Sequence, residues 1–425
     1  MTNNNSKTIF NIKEDGSIYE DSRLRISVGE EIKVMEDGVQ PFMFHSSKGT
    51  LVVQAQLPVP EDYYNEPGGN KFPGLPGTVI SRDGGITWDK WQPGRDQGEG
   101  PIIEGCVTEL NDGTIVILEW IAVPTGEPDK VAGKLWTSND DWKTVDGPFE
   151  AVYNIPGVKT DGVDDGGFPY SGTTFHRSLI ELPDGDLIAT IYCWFNEDKN
   201  PTPYMPTMNK FRTILVRSKD KGRTWFYVST IAAGNIGTEG FNEPVLLHLT
   251  KGKNKGRLIC AIRTGRDLYS TYSDDQGSTW SKAGPMEFQG IDIYNIKDWM
   301  GLFEEPDAVE LRGAFVDPDL IEMDNGVLAC AFGVRIPEKA IGIVPGYVRT
   351  GNYISFSLDQ GTTWSHTLQL TSGILLTDYM TIRELKPGEI YAVYDLGLWI
   401  FVKADSERSI MGRKIKVELK QDLLK

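Results

Sequence analysis

The sequence predicts an all-β chain folded as one domain over residues 1–425, a six-bladed β-propeller of four-stranded antiparallel blades with a chain terminus closing the ring. Three observations predict it: a recurring eight-residue turn, six glycine hairpins at near-even spacing, and a composition suited to many short strands.

The turn reads Ser-x-Asp-x-Gly-x-Thr-Trp and occurs as SRDGGITW from Ser81, SKDKGRTW from Ser218, SDDQGSTW from Ser273 and SLDQGTTW from Ser357. A frayed version, SNDDWKTV, starts at Ser138. Each follows a strand-like run such as TILVR or NYISF. The Asp can accept backbone N–H groups across the turn, the Gly can take positive φ, and the Trp can pack against a neighbouring sheet. Such a turn is scaffolding rather than a catalytic motif.

The hairpins are apolar strand, tight turn, apolar strand, as in ELNDGTIVILEW and EMDNGVLACAF. Their glycines are Gly49, Gly113, Gly185, Gly252 (with Gly256 after a short insertion), Gly326 and Gly388, at intervals of 64, 72, 67, 74 and 62 residues. That spacing fits one four-stranded unit with variable loops. Five units carry the Asp-containing turn. The sixth does not, so its outer strand is expected from a terminus, either the segment around IFNIKEDG or the final IKVELK.

The chain has 425 residues with 11 Trp, 46 Gly and 24 Pro, enough for a large core built from short strands. No apolar run reaches the roughly 20 residues needed to span a membrane. The net charge of −17 argues against nucleic acid and anionic membrane surfaces as partners, while leaving an acidic small ligand open. Cys106, Cys193, Cys260 and Cys330 fall in or beside different inner strands and form neither a disulfide framework nor a metal pattern, so they read as buried thiols. No cofactor is implied. The opening MTNNNSKTIF lacks the charged and apolar parts of a signal peptide, which gives the expectation of a cytoplasmic protein, although a trimmed secreted form would look the same. Nothing in the sequence sets the oligomeric state.

Nine residues before each turn glycine, where the inner strand begins, stand Gln40, Glu104, His176, Glu243, Asp317 and Tyr379. All are polar or ionisable at the head of an apolar strand, where alternation alone predicts several Val or Ile. In a propeller these positions form a ring at one mouth of the central channel. Arg263, in LICAIRTGR, and Arg349, in YVRTGNYISF, lie in or beside later strands and need anionic partners, either ring carboxylates or a ligand.

These residues resemble the sialidases and their relatives, propellers with Asp-box repeats. NEPVLLHLTKGKNKGRLICAIRTG is similar to the family stretch that carries a Glu and then a carboxylate-binding Arg, which implies Glu243 and Arg263. VRTGNYISFSLDQGTTW is similar to the stretch with a further such Arg, here Arg349, and DYMTIRELKPGEIYAVYD to the one with the nucleophilic tyrosine, here Tyr379. The chemistry implied is attack by a neutral phenol, deprotonated by Glu243, on a sugar whose carboxylate would repel an anionic nucleophile. The resemblance places the proton donor on a loop of the first blade, LPVPEDYYNEPGGNKFPGLPGTV, where Asp62 is the candidate and Glu61 and Glu66 its rivals. The family's remaining arginine, in Arg-Ile-Pro, is missing: Val39 or Gln40 stands there. Two arginines still suffice for a uronate or another acidic sugar.

His176 and the adjacent Arg177 do not belong to that pattern. With Tyr379 and the arginines they would also suit a lyase or α-L-rhamnosidase acting on rhamnose–glucuronate linkages, in which His or Tyr removes the C5 proton of a uronate. A carbohydrate-binding propeller without catalysis is the third reading. In each case the expected partner is a glycan carrying an acidic sugar. The acidic, Gly-rich KTDGVDDGGF lacks the spacing of a calcium loop and reads as a solvated turn. IYNIKDWMGLFEEPDAVELRG is long for a blade connection, and its Trp299 and Phe303 could flank a sugar or pack a lid.

Overall fold

The computed structural model describes residues 10–11, 18–57, 76–91, 100–104, 106–164, 167, 169–289, 315–335, 350–372, 377–396 and 408–420. Every regular element among them is a β-strand, and none is an α-helix long and apolar enough to cross a membrane.

Six antiparallel units follow one another along the chain. Their inner strands are Val39–His45, Cys106–Glu109, Thr173–Glu181, Asn242–His248, Phe315–Glu322 and Met380–Lys386. Each pairs with a second strand across one of the glycine turns, as Asn242–His248 does with Leu258–Arg263. Third and fourth strands continue outward, as in Leu268–Ser273 and Gly284–Pro285 of the fourth unit. The second strands Leu328–Val334 and Leu258–Arg263 are buried along their whole length. A strand covered on both faces can be uniformly apolar, and these nearly are.

Packing between units gives the core its arrangement. One apolar cluster joins the first and second units, among Phe44, Val52, Ile117 and Trp136, and others join consecutive units in turn through the sixth. The last returns from the sixth unit to the first, bringing Tyr391, Val393 and Ile410 against Met43, Val53 and Val79. Side chains such as Trp136, Trp225 and Phe332 are fully buried there. Each contributes about 1.5–3 kcal/mol or more through removal of apolar surface from water.

The sixth unit takes both ends of the chain. Ser409–Leu419 is its third strand, and Leu24–Met35 pairs with that strand as the fourth. Phe10–Asn11, from the IFNIKEDG segment, instead lies parallel to His366–Gln369 of the fifth unit.

All five Asp-containing turns share one bonding scheme. The Ser hydroxyl lies 2.7–3.1 Å from an oxygen of the Asp two residues on. It also accepts the amide at the fourth position after it. The Asp carboxylate accepts the amide of the Thr, as Asp220 does from Thr224 at 2.8 Å and Asp359 from Thr363 at 2.8 Å. The Thr87 hydroxyl and amide hold the Asp83 carboxyl well below the usual carboxylate range. The turn at Ser138, read as frayed, is complete in this respect: Asp140 holds Thr144 just as its counterparts do. Trp142 takes the place of the glycine there at φ 63° and is fully buried against Phe44 and Trp91. Its packing carries a conformation that the other copies leave to Gly85, Gly222, Gly277 and Gly361.

Candidate active site

The inner strands bend where the sequence places polar residues. Gln40, Arg177, Glu243, Asp317 and Asp378 all have positive φ, between 40° and 62°. The first four sit at register shifts between inner and second strand, between Val39 and Phe42, Phe175 and Leu179, Asn242 and Val245, and Val316 and Asp319. A bulge breaks the alternation and re-aims one side chain, which frees the strand head from the apolar pattern. In three units the bulge is written into the sequence as a polar residue followed by proline, Gln40-Pro41, Glu243-Pro244 and Asp317-Pro318. Proline cannot donate to the strand ladder, so this pair marks the spot.

The residue nine before the turn glycine itself carries the positive φ in the first, fourth and fifth units and adjoins the one that does in two others. The left-handed position is Arg177 rather than His176 in the third unit, whose bulge is wider, and Asp378 rather than Tyr379 in the sixth, where a second irregularity lies between Glu384 and Lys386.

At the centre Tyr379 Oη donates to Glu243 Oε1 over 2.6 Å. Arg263 Nη1 reaches the same Glu243 oxygen at 2.5 Å and the Tyr379 Oη at 3.3 Å. Its Nη2 lies 3.0 Å from Glu239 Oε2. The backbone pairing of Asn242 with Arg263 brings the guanidinium level with the bulge that carries Glu243. All these side chains are buried. Burial pushes the Glu243 carboxyl up, but Arg263, His176 and the Tyr379 hydroxyl outweigh it and hold it at about 2. Burial and the Glu243 charge raise the Tyr379 phenol well above its ordinary value, so it stands neutral with its proton on the line to Glu243.

A second ion-pair group lies beside the first. Arg177 donates to Asp317 through Nε at 3.0 Å and Nη2 at 2.5 Å, and to the Met380 carbonyl at 2.8 Å. Its guanidinium stands 4.5 Å over the ring of Phe42. Asp319 accepts from Thr381 Oγ1, the Ile382 amide and Arg383 Nη1 at 2.7–2.9 Å. Asp317 in turn donates its amide to Glu243 Oε2 at 3.2 Å. His176 places Nε2 3.2 Å from Asp317 Oδ1 and Nδ1 3.3 Å from the Pro244 carbonyl. His176, Glu243 and Asp317 each offer a ligand atom within 4.8 Å of the others. Both carboxylates already accept from a guanidinium, Glu243 from Arg263 and Asp317 from Arg177.

The third group is a chain of amides and acids. Gln56 Nε2 donates to Gln40 Oε1 at 2.6 Å and approaches Glu104 Oε2 at 3.4 Å. The Gln40 amide and the Thr377 hydroxyl donate to Asp395. Burial, then the negative charges of Asp317 and Glu243, push the Glu104 carboxyl up to about 8. Burial raises Asp395 to about 7. Both oxygens of Asp378 are buried without a hydrogen-bond partner among the described residues, and burial raises its carboxyl well above the usual range.

The structure thus gathers Glu243, Arg263, Tyr379, Asp317, His176 and Arg177 into one cluster and sets Gln40 and Glu104 in a neighbouring one. Asp62, Glu61, Glu66, Arg349, Trp299 and Phe303 lie outside the described residues. Glu239, Asp319, Asp378 and Asp395 are additions. Asp319 was visible as the second acid of FVDPDLIE, in an otherwise apolar strand, and Asp395 as the acid ending YAVYD. All four cysteines are buried free thiols.

A family model described as a BNR repeat-like domain matches residues 159–379, and a BNR/Asp-box repeat model matches residues 79–90, around the first Asp-containing turn. No curated protein matches the chain. Among solved structures, a Dyadobacter fermentans protein of unknown function is 17% identical with a TM-score of 0.63, covering 92% of this chain and 99% of its own. The Hadza microbial sialidase Hz136 is 16% identical with a TM-score of 0.55, covering 89% and 66%. An alpha-L-arabinanase from Penicillium chrysogenum is 13% identical with a TM-score of 0.56, covering 91% and 98%. At these identities the likeness is one of fold.

Proposed function

The chain belongs to the BNR repeat-like family, and from that premise we propose that it is a six-bladed propeller glycoside hydrolase of the sialidase superfamily, removing a terminal acidic sugar. The observation that carries this reading is the 2.6 Å bond from Tyr379 Oη to Glu243 Oε1, with Arg263 Nη1 on both groups. Six units joined in sequence by apolar clusters, the last returning to the first, support the propeller.

In this mechanism Tyr379 Oη attacks the anomeric carbon and passes its proton to Glu243. The leaving glycosidic oxygen takes a proton from a carboxylic acid. Asp62 was the expectation from sequence; Glu104 is the acid that the ring itself supplies, held protonated at neutral pH by its surroundings. Water then attacks the same carbon, returns a proton to the acid, and releases the tyrosine, which recovers its own from Glu243. Arg263 binds the sugar carboxylate.

One observation favours a second reading, in which the sugar is neutral. Both Nη atoms of Arg263 are already engaged by Glu239 and Glu243. Glu243 ionised and Glu104 protonated then form the carboxylate and carboxylic acid pair of ordinary glycosidases, and Tyr379 only positions Glu243.

Mass-spectrometric screening of sialosides, rhamnose–glucuronate oligosaccharides, other uronides and neutral arabino-oligosaccharides tests both readings. With an acidic substrate, Tyr379→Phe should lower turnover by about a thousandfold or more while leaving binding in place, as removal of an attacking group does. Unchanged turnover would assign the nucleophile to Glu243. Unsaturated uronate products would assign elimination instead.

A further inference from the structure

Outside the central cluster, the described residues line an open cavity of roughly 560 Å³ between the third and fourth units. Its walls are the loop that leaves the second strand of the third unit, with Pro201, Thr202 and Lys210, and the loop after Arg263, with Thr264 and Arg266, together with Tyr269 of the strand that follows. We propose that this cavity is a second sugar subsite, taking an acidic sugar whose carboxylate pairs with Arg266. The proposal rests on the reading of the chain as a glycan-acting propeller but not on the chemistry at Tyr379.

Position is the first argument. In an antiparallel pair the end of the second strand lies beside the start of the first, so the loop after Arg263 opens at the same mouth as the ring residues. The cavity wall at Thr264 is one residue from the central arginine. The Thr264 carbonyl accepts the amides of Thr238 and Glu239, both at 3.1 Å. Glu239 bridges the two places: one face pairs with Arg263, and Tyr204, in the loop of the cavity wall, donates to it at 3.2 Å.

Lining chemistry is the second. Arg266 Nε is buried and has no hydrogen-bond partner among the described residues. The surface of Arg266 that lines the cavity is what a ligand carboxylate can reach, and the guanidinium spends none of its Nε donor on another side chain of the described residues. The Lys210 ammonium lies alongside, fixed by the Asn235 side chain at 2.8 Å and the Gly237 carbonyl at 2.6 Å. Two cations face the single carboxylate of Asp267, so the cavity opposes the acidic charge of the whole chain. Tyr269 and the prolines offer rigid apolar faces for a sugar ring, and Thr202 and Thr264 stand among them.

The test is calorimetric and uses sodium D-glucuronate against methyl glucoside, a neutral sugar of the same ring. Wild-type protein should prefer glucuronate. Arg266→Ala should weaken glucuronate about tenfold or more, as loss of a charged hydrogen bond does, and leave methyl glucoside unchanged. Arg266→Lys should recover part of the preference, and Tyr269→Ala should weaken both sugars. Tyr379→Phe should bind glucuronate as wild type does and should lose the preference once Arg266→Ala is added, so that binding read at Arg266 and turnover read at Tyr379 can fail independently. Equal glucuronate affinity in wild type and Arg266→Ala would overturn the proposal, as would no glucuronate binding by the wild type.

Discussion

Replacing Glu104 by Gln should make the protein more stable at pH 8 than at pH 5 relative to wild type. The Glu104 carboxyl is raised from 4.5 to about 8, first by burial and then by Asp317 and Glu243. A carboxyl with a raised folded value binds its proton more tightly in the folded chain. Its favourable contribution is therefore full at low pH and is lost as pH climbs from the unfolded value through the folded one. For a fully desolvated group the loss across that window would be about 5 kcal/mol. Glu104 keeps an edge toward solvent, and water there screens its neighbours, so about 2 kcal/mol is the working figure. Gln is nearly isosteric and neutral throughout, and can still accept from Gln56. Paired denaturant titrations of wild type and Glu104→Gln at pH values from 5 to 9 measure the gap between them. It should widen steadily in favour of the variant and level off above about pH 8. A constant gap would mean that Glu104 is already ionised at pH 5, and would remove it as a proton donor as well as refuting the energetics.

Three further outcomes follow from the same contacts. With a turned-over substrate in hand, the rate should fall above about pH 8 as Glu104 loses its proton, and a rate flat to pH 9.5 would place the acid elsewhere. Asp319→Ala should cost about 3–5 kcal/mol in unfolding titrations, because it removes a counter-charge from Arg177 and a bonded acceptor from Arg383 in a buried site. Trp142→Ala should cost a similar amount, about 3–5 kcal/mol, through the cavity left between Phe44 and Trp91, and a loss below about 1 kcal/mol would show that the turn does not depend on that packing.

Much of this was legible because the scaffold is repetitive and local. Ser, Asp and Thr at fixed spacing dictate one turn whatever surrounds them, and the hairpin glycines set the period of the units. The ring positions were legible where a polar residue precedes proline, at Gln40, Glu243 and Asp317, since that pair both breaks the ladder and declares a polar side chain. Which residue takes the positive φ, Arg177 beside His176 or Asp378 beside Tyr379, was not legible, because a count along the chain cannot see how many residues oppose one across the ladder. The charge partners were harder still. Glu239 pairs with Arg263 and Asp319 with Arg383 across 24 and 64 residues, and no local pattern links such pairs. The role of the termini was misread for a similar reason: Leu24–Met35 finds Ser409–Leu419 at the far end of the sequence, and its twelve residues carry no turn signal to show it.

The way Arg263 is shared gives the proposed chemistry its order of events. In the free protein the guanidinium is divided between Glu239 and Glu243, and its charge is the main force lowering the Glu243 carboxyl. A carboxylate at about 2 is a poor acceptor for the proton of a phenol that burial has raised. If a sugar carboxylate takes the Nη1 donor, Glu243 loses its strongest counter-charge and gains a negative neighbour. Both changes raise its proton affinity at the moment Tyr379 must give its proton up. The same step withdraws positive charge from the phenol, so the balance favours transfer only while Arg263 still touches Tyr379 Oη, 3.3 Å away in the free site. An acidic substrate would thus switch on its own base, whereas a neutral one would leave Glu243 ionised and suited to direct attack. In the proposed scheme, which of the two residues forms the bond to the sugar would follow the charge of the substrate rather than the fold.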